Sequence, residues 1–204
     1  NYRDSKSPYK DIVGVKRISN IVGAFNLGNT KYPKALTIKT GPIWKPNIIT
    51  PIEKPKVIIV KPGVNTLYNA IKKAGPKTTL KLEDGIYFIE KEQKINNSIT
   101  IIGSENTLLQ SSKKLEKPFK TFFKINGGSS LNIKNITFDG SINNIKYGII
   151  SPSENEVTTY NLFIDNCKFK NFKNEKGAII KANSNTLADT ISIKSSNFSN
   201  SFRG

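Results

Sequence analysis

The sequence contains no histidine, no methionine and only one cysteine, Cys167, among its 204 residues. A lone cysteine excludes a disulfide within the chain. Without histidine or a second cysteine, a Ser-His-Asp triad, a Cys-His dyad and a zinc site built on these ligands are excluded as well. We therefore interpret Cys167 as a structural strand residue, and we predict no metal site in this chain.

Long apolar runs are also missing, since none approaches the roughly 18 residues that a membrane span needs. We therefore predict no membrane partner. The chain opens on the polar stretch "NYRDSKSPYKD" without an initiating methionine, and we expect it to be a piece of a larger protein. On that expectation, the lack of a signal peptide carries no information about export.

Acidic residues are scarce relative to basic ones: 32 Lys and Arg face 15 Asp and Glu, giving a formal net charge of +17. Such a chain attracts polyanions, which include acidic polysaccharide, nucleic acid and anionic membranes. A solvated basic surface without any ligand is the plain alternative. Aromatic residues make up only 9%, and no RNP1-like, zinc-finger or helix-turn-helix pattern occurs, which argues against nucleic acid.

A composition change around residues 46–56 indicates a linker, because three prolines follow one another at short intervals in "KPNIITPIEKPK". Proline at such spacing suits neither a helix nor a central strand. Residues 1–45 contain only short apolar runs and resemble the tail of a preceding domain. Residues 57–204 form the main predicted domain.

A short amphipathic helix is predicted over 66–74, after an apolar strand at 57–60. Thr66 is the candidate N-cap, and Gly75-Pro76 ends the helix. The apolar positions fall at helical spacing: Leu67, Ala70, Ile71 and Ala74. From Thr78 onward the helical period disappears, and short apolar runs alternate with turn residues, as is typical of strands.

The stretches "IKNITFDG", "IDNCKFKN" and "IKSSNFSN" are loose copies of one another. With an earlier isoleucine they give a spacing of 32, 31 and 29 residues between Ile101, Ile133, Ile164 and Ile193. A period of this size indicates a solenoid, and the strand-like units predict an all-β, right-handed parallel β-helix over about 78–204 with the short helix as its N-terminal cap. Two stacked columns should lie inside: Ile133, Ile164 and Ile193, and Phe138, Phe169 and Phe198.

Two further columns follow from the same repeat. Asn135, Asn166 and Ser195 fit a tight turn whose side chains bond to their neighbours in the stack. Lys134, Asp165 and Lys194 should point outward if the isoleucines beside them point inward. Their alternating charges fit a ligand-binding ridge, and they fit equally a set of strands that stabilise one another without a ligand.

Residues 57–110, with "EDGIYFI" at 83–89, resemble the opening of pectin-lyase-like β-helices, and most closely the chondroitinase-B and alginate-lyase group, polysaccharide lyase family 6. "ALTIKTGPIWK" at 35–45 is similar to the tail that ends the catalytic β-helix in that family. The resemblance implies that 57–204 is the start of a second β-helix, truncated at its C-terminal end. The rest of the parent chain, or another molecule, should then cover the last coil.

The resemblance also implies a function. Members cleave acidic polysaccharides by β-elimination with a Lys base and an Arg acid, and many hold calcium with Asn and Glu. It therefore implies an extracellular or periplasmic protein that meets an anionic, alginate-like polyuronate. No cofactor is evident in this chain itself, and calcium is expected only in the parent enzyme.

The family's catalytic strand has no full counterpart here. "NEKGAIIKANSN" offers Glu175 and Lys181 but lacks a second glutamate, and "ISIKSSN" offers a Lys-Ser pair with no acidic residue before it. The candidate catalytic residues are Lys181, Lys194 and Arg203; the candidate substrate-binding residues are Lys134, Lys168, Lys170, Lys181 and Lys194. Because the constellation is incomplete, we expect this portion to be an accessory, inactive part of a lyase. The alternative is a non-catalytic β-helix module that binds anionic glycans.

Overall fold

The computed structural model describes residues 55–115, 117–152, 159–184 and 186–202. The predicted tail at 1–45 and nearly all of the predicted linker at 46–56 lie outside the described residues. The division of the chain into tail, linker and β-helix domain therefore stays a prediction.

The described chain consists of one short helix and strands arranged in three sheets, and every strand pairs in parallel with its neighbours. The first sheet contains β1 (Val57–Val60), β3 (Thr78–Leu82), β6 (Ile99–Ile102), β9 (Ser130–Lys134), β12 (Tyr160–Asp165) and β15 (Ala188–Lys194). The second contains β2 (Gly63–Val64), β4 (Gly85–Ile89), β7 (Thr107–Ser111), β10 (Thr137–Asp139), β13 (Lys168–Lys170) and β16 (Asn197–Ser199). The third contains β5 (Gln93–Ile95), β8 (Thr121–Ile125), β11 (Tyr147–Ile150) and β14 (Ala178–Lys181).

From β3 onward, the chain visits the first, second and third sheet in turn, and one such circuit is a coil. Parallel strands that return to the same sheet after each circuit make a parallel β-helix. The all-β fold class predicted from the repeat is confirmed, including the short helix at its N-terminal side.

The two predicted columns exist. Ile101, Ile133, Ile164 and Ile193 are direct neighbours on successive strands of the first sheet. On the second sheet, the Phe138 and Phe169 rings stack with centroids 4.4 Å apart and planes 2° apart. The Phe169 and Phe198 rings stack at 5.2 Å and 3°.

Two members of these columns are less buried than predicted. Ile193 is 44% exposed and Phe198 37% exposed, whereas their counterparts in earlier coils are buried. Both side chains belong to β15 and β16, which are the outermost strands of their sheets in the described part of the chain. A solenoid side chain is covered by the coils on both sides of it, and these two have a described coil on one side only.

The helix α1 runs over Thr66–Lys73, with Leu67 and Ala70 buried. The predicted N-cap was wrong by one residue, because Asn65 precedes the helix with a φ of 56° and makes no capping bond with its side chain. Its amide instead donates to the Glu90 carboxylate at 2.7 Å and accepts from the Glu90 N–H at 3.3 Å. The Asn65 side chain thus bonds to Glu90, which is distant in the sequence, instead of capping the helix.

The corner between the first and second sheets contains two residues in each of the last three described coils, at 135–136, 166–167 and 195–196. The first residue of each pair is left-handed: φ is 56° at Asn135, 50° at Asn166 and 48° at Ser195. Asn166 donates from Nδ2 to Asn135 Oδ1 at 3.0 Å, as the predicted turn column requires. The connection between the second and third sheets varies instead, from three residues at 90–92 to nine at 112–120.

Cys167 occupies the second position of such a corner and is fully buried. Burial raises the pKa of its thiol. A neutral, enclosed thiol is a packing group, which agrees with a structural role. Cys167 lies between two strands, however, and not within one as predicted.

Candidate functional site

The five lysines predicted to bind substrate lie on three different sheets. Lys134 and Lys194 belong to the first sheet, Lys168 and Lys170 to the second, and Lys181 to the third. Lys134, Lys168 and Lys170 point away from the core because each is next to a buried residue of its strand, and Lys181 and Lys194 are at least partly exposed. The fold therefore spreads the predicted lysines around the β-helix instead of bringing them to one place.

Two of these lysines have a carboxylate beside them in an adjacent coil. Lys134 Nζ lies 3.4 Å from Asp165 Oδ2, and Lys170 Nζ lies 3.5 Å from Asp139 Oδ2. Burial acts to raise the pKa of Asp139, but hydrogen bonds from Asn171 and Ser141, with Lys170 nearby, bring it below its ordinary value. Alternating charges on adjacent strands thus stabilise each other here without a ligand.

The candidate catalytic groups do not form a constellation in the described residues. Lys181 ends β14 of the third sheet and Lys194 ends β15 of the first, so they face different sides. Arg203 lies outside the described residues. Elimination needs a base, an acid and a group that neutralises the carboxylate, all converging on one sugar.

The third sheet carries the densest set of outward lysines. Lys94, Lys124, Ile150 and Lys181 are direct neighbours on its four strands, and each is at least partly exposed. Successive strands lie about 4.8 Å apart. We name Lys94, Lys124 and Lys181 the lysine column. Unlike the outward columns that hold Lys134 and Lys170, this one contains no carboxylate.

An aromatic ring borders the lysine column. Lys181 Nζ lies 5.4 Å from the centroid of the Tyr147 ring, and Lys146 Nζ lies 5.0 Å from it. Both distances fit cation–π contacts. The repeat could not have predicted this cluster, because Lys146 and Tyr147 have no counterpart in the three sequence copies. The stretch "IKYGII" gives the only signal, a lysine and tyrosine at the start of an apolar strand.

A cleft of about 450 Å³ opens where α1 meets β5 and the turn after it. Its charged lining residues are Lys72, Lys91, Lys94 and Glu92, with Tyr68 and Asn97 beside them. We name it the α1 cleft. Lys91 Nζ lies 5.8 Å from the Tyr68 ring centroid. The sequence offers one signal for this site, since Tyr68 is an aromatic residue off the apolar stripe of the helix.

The described residues bring no cluster of carboxylates together for a calcium ion. Calcium takes six to eight oxygen ligands, with carboxylates prominent among them. Within the described ranges, no three His, Cys, Asp or Glu side chains lie together as a metal site requires. The Asp84 carboxylate accepts hydrogen bonds from Ser104 at 2.5 Å and Asn106 at 3.1 Å, so its oxygens are already engaged.

No helix in the described part of the chain has both the length and the apolar character needed to cross a membrane. The one described helix, α1, is eight residues long.

Comparison with known proteins identifies the fold through solved structures. No protein-family model matches the chain, and no curated protein matches significantly. The structure of the PL6 family alginate lyase AlyGC matches over 91% of this chain and 24% of its own, with a TM-score of 0.65 and 23% sequence identity. A variant of the same enzyme matches over the same shares with a TM-score of 0.61. The chain thus spans about a quarter of the length of these enzymes, and its fold is the parallel β-helix of the polysaccharide lyase family 6 alginate lyases.

Proposed function

We propose that this chain is part of an extracellular or periplasmic polysaccharide lyase that acts on an acidic, alginate-like polyuronate by β-elimination. In this proposal, the portion described here is accessory: it binds the anionic polymer and does not cleave it. The fold shared with alginate lyases supports the substrate class, because the enzyme with the similar structure is an alginate lyase. An outside location follows from the substrate, since a long charged polymer does not cross a membrane.

The observation that carries the proposal is the lysine column. Three lysines stand on one face of a rigid stack, at separations of one and two strand spacings, with no carboxylate in the column. A polymer with a carboxylate on each unit offers regularly spaced negative charges to such a row. On the other two sheets, Lys134 and Lys170 lie next to Asp165 and Asp139, which reduces the field available to a ligand at those two lysines.

The accessory role is supported by the separation of Lys181 and Lys194 on different sheets. The same observation favours a second candidate, a non-catalytic β-helix module that only binds anionic glycans. The two candidates differ in what the longer parent chain does. The 204-residue chain should give no unsaturated product from alginate, with or without calcium, in an ultraviolet absorbance assay, and the parent chain should give it if the first candidate holds. Turnover by the 204-residue chain that Lys181→Ala abolishes would refute the accessory role.

The binding proposal is tested by calorimetry with alginate and with a neutral glucan. Alginate binding should weaken as salt rises, because screening acts over about 8 Å at physiological ionic strength. The neutral glucan should not bind. Equal binding of both polymers would show that charge does not determine recognition.

A matched pair of triple variants separates the lysine column from general charge. Lys94, Lys124 and Lys181 changed to Ala should weaken alginate binding by about 1–2 kcal/mol, which corresponds to roughly a five- to thirtyfold loss. The control changes Lys61, Lys168 and Lys194 to Ala and removes the same charge from other surfaces. Equal losses in the two variants would contradict a binding site on the third sheet.

A further inference from the structure

We infer that the α1 cleft is a binding subsite for a single carboxylated sugar unit, at the end of the path that the polymer takes along the lysine column. This inference rests on the proposed function, because it assigns one unit of the same acidic polymer to a defined place. The cleft lies on the helical cap and not on the sheets, and no catalytic role is assigned to it.

The charge of the α1 cleft favours an anion. Lys72, Lys91 and Lys94 supply three positive charges to its lining, against the single carboxylate of Glu92. A concave site lined mostly by one sign of charge concentrates the field and raises the local concentration of the opposite ion. The three lysines are exposed, so their ammonium groups are free to move toward a carboxylate inside the cleft.

The uncharged lining fits a sugar better than a simple inorganic anion. The cleft volume of about 450 Å³ lies within the usual range for organic ligands. The half-buried Tyr68 offers an aromatic face, and Ile71 adds apolar surface. A pyranose ring has an apolar face of C–H groups and a polar rim, which matches a wall of this composition.

Two amides at the rim are already held in place. Asn97 donates from Nδ2 to the Ala74 carbonyl at 3.0 Å, and Asn96 Oδ1 accepts from Asn126 at 2.5 Å. Neither bond involves the Asn97 side-chain oxygen or the Asn96 side-chain amino group. Fixed amide groups can bond sugar hydroxyls with little further loss of side-chain freedom.

The position of Lys94 connects the α1 cleft to the lysine column. Its side chain lines the cleft, and its strand β5 is the first of the third sheet. A polymer running along the column would therefore reach the cleft after passing Lys181 and Lys124. The cleft would hold the last unit at this end, because α1 closes the stack there.

The test uses the 204-residue chain and two probes, a long alginate and an alginate trisaccharide. Tyr68→Leu and Lys91→Gln should each weaken trisaccharide binding by about threefold or more, and long-chain binding less, because the column continues to hold the polymer. Lys73→Gln is the matched control, since it removes one exposed charge from α1 without altering the cleft lining. Backbone amide shifts on trisaccharide titration should be largest at 68–74 and 91–97.

The outcomes separate this inference from the proposed function. If the unaltered chain does not bind long alginate, both fail. If it binds long alginate but the Tyr68 and Lys91 variants bind the trisaccharide as the Lys73 control does, only the cleft assignment fails. Shifts centred on Lys124 and Lys181, with none at the cleft, would also overturn the assignment.

Discussion

The stacked phenylalanine column allows a sharp test of where the stability of the β-helix arises. Phe169 is fully buried, with Phe138 on one side at 4.4 Å and Phe198 on the other at 5.2 Å. Replacing it with Ala leaves a closed cavity between two coils, which costs about 3–5 kcal/mol for a buried phenylalanine. Two ring stacks of about 0.5–1.5 kcal/mol each are lost as well, so we expect a cost near the upper end of that range.

The same substitution in the outermost described coil is the control. Phe198 is 37% exposed and has one stacked partner, so Phe198→Ala opens a groove to solvent and leaves no closed cavity. We expect a cost of about 1–2 kcal/mol there. The assay is urea unfolding followed by circular dichroism, with the free energy of unfolding compared among the three proteins. A Phe169→Ala cost equal to or below that of Phe198→Ala would refute the argument that coil-on-coil packing dominates stability.

Three further predictions concern the corners and the buried polar groups. Asn166→Ala should lower the free energy of unfolding by about 1–2 kcal/mol, because alanine is strained at the φ of 50° that this position requires. Asn166→Gly should cost less in thermal unfolding, and equal costs would contradict backbone strain as the cause. Burial raises the pKa of Tyr87 from 10.0 to about 12, and its protonated hydroxyl donates to the Val60 carbonyl. The stability that this group adds is therefore full below pH 10 and is lost as the pH rises toward 12. A Tyr87→Phe variant should lack this alkaline loss of stability. The pKa of Asp139 lies below its ordinary 3.8, so its contribution to the free energy of unfolding is present above pH 3.8 and is lost on further acidification. Asp139→Asn should flatten the acid side of the profile of stability against pH. An unchanged profile would argue against this contribution.

The sequence predicted the two inner columns of the last three described coils, because the corner between the first and second sheets has the same length in each of them. With two residues in each of these corners, Ile133 and Phe138 recur at matching positions in the next coils, and the strands bring them into register. The N-cap of α1 was misplaced by one residue because Asn65 adopts a left-handed conformation and bonds to Glu90, which is distant in the sequence. Local capping preferences carry no information about that partner.

The surface could be predicted much less well. Which sheet a lysine faces depends on the loops that precede its strand, and these differ in length from coil to coil. Lys181 and Lys194 are close in the sequence, but the chain turns from the third sheet to the first between them. The lysine–tyrosine cluster at Tyr147 and the α1 cleft at Tyr68 form where single side chains from different parts of the chain meet. A repeat pattern in the sequence does not predict such contacts.

The unequal corners also determine where this architecture can accept new sequence. An added residue at the corner of Asn135 and Asn166 would shift one strand against the next, move the inward side chains outward and break the amide bond between the two asparagines. The connection between the second and third sheets already varies from three to nine residues without disturbing the strand register on either side. Insertions, affinity tags or grafted binding loops should therefore be tolerated on that side, while the two-residue corners at 135–136, 166–167 and 195–196 keep the last three described coils in phase.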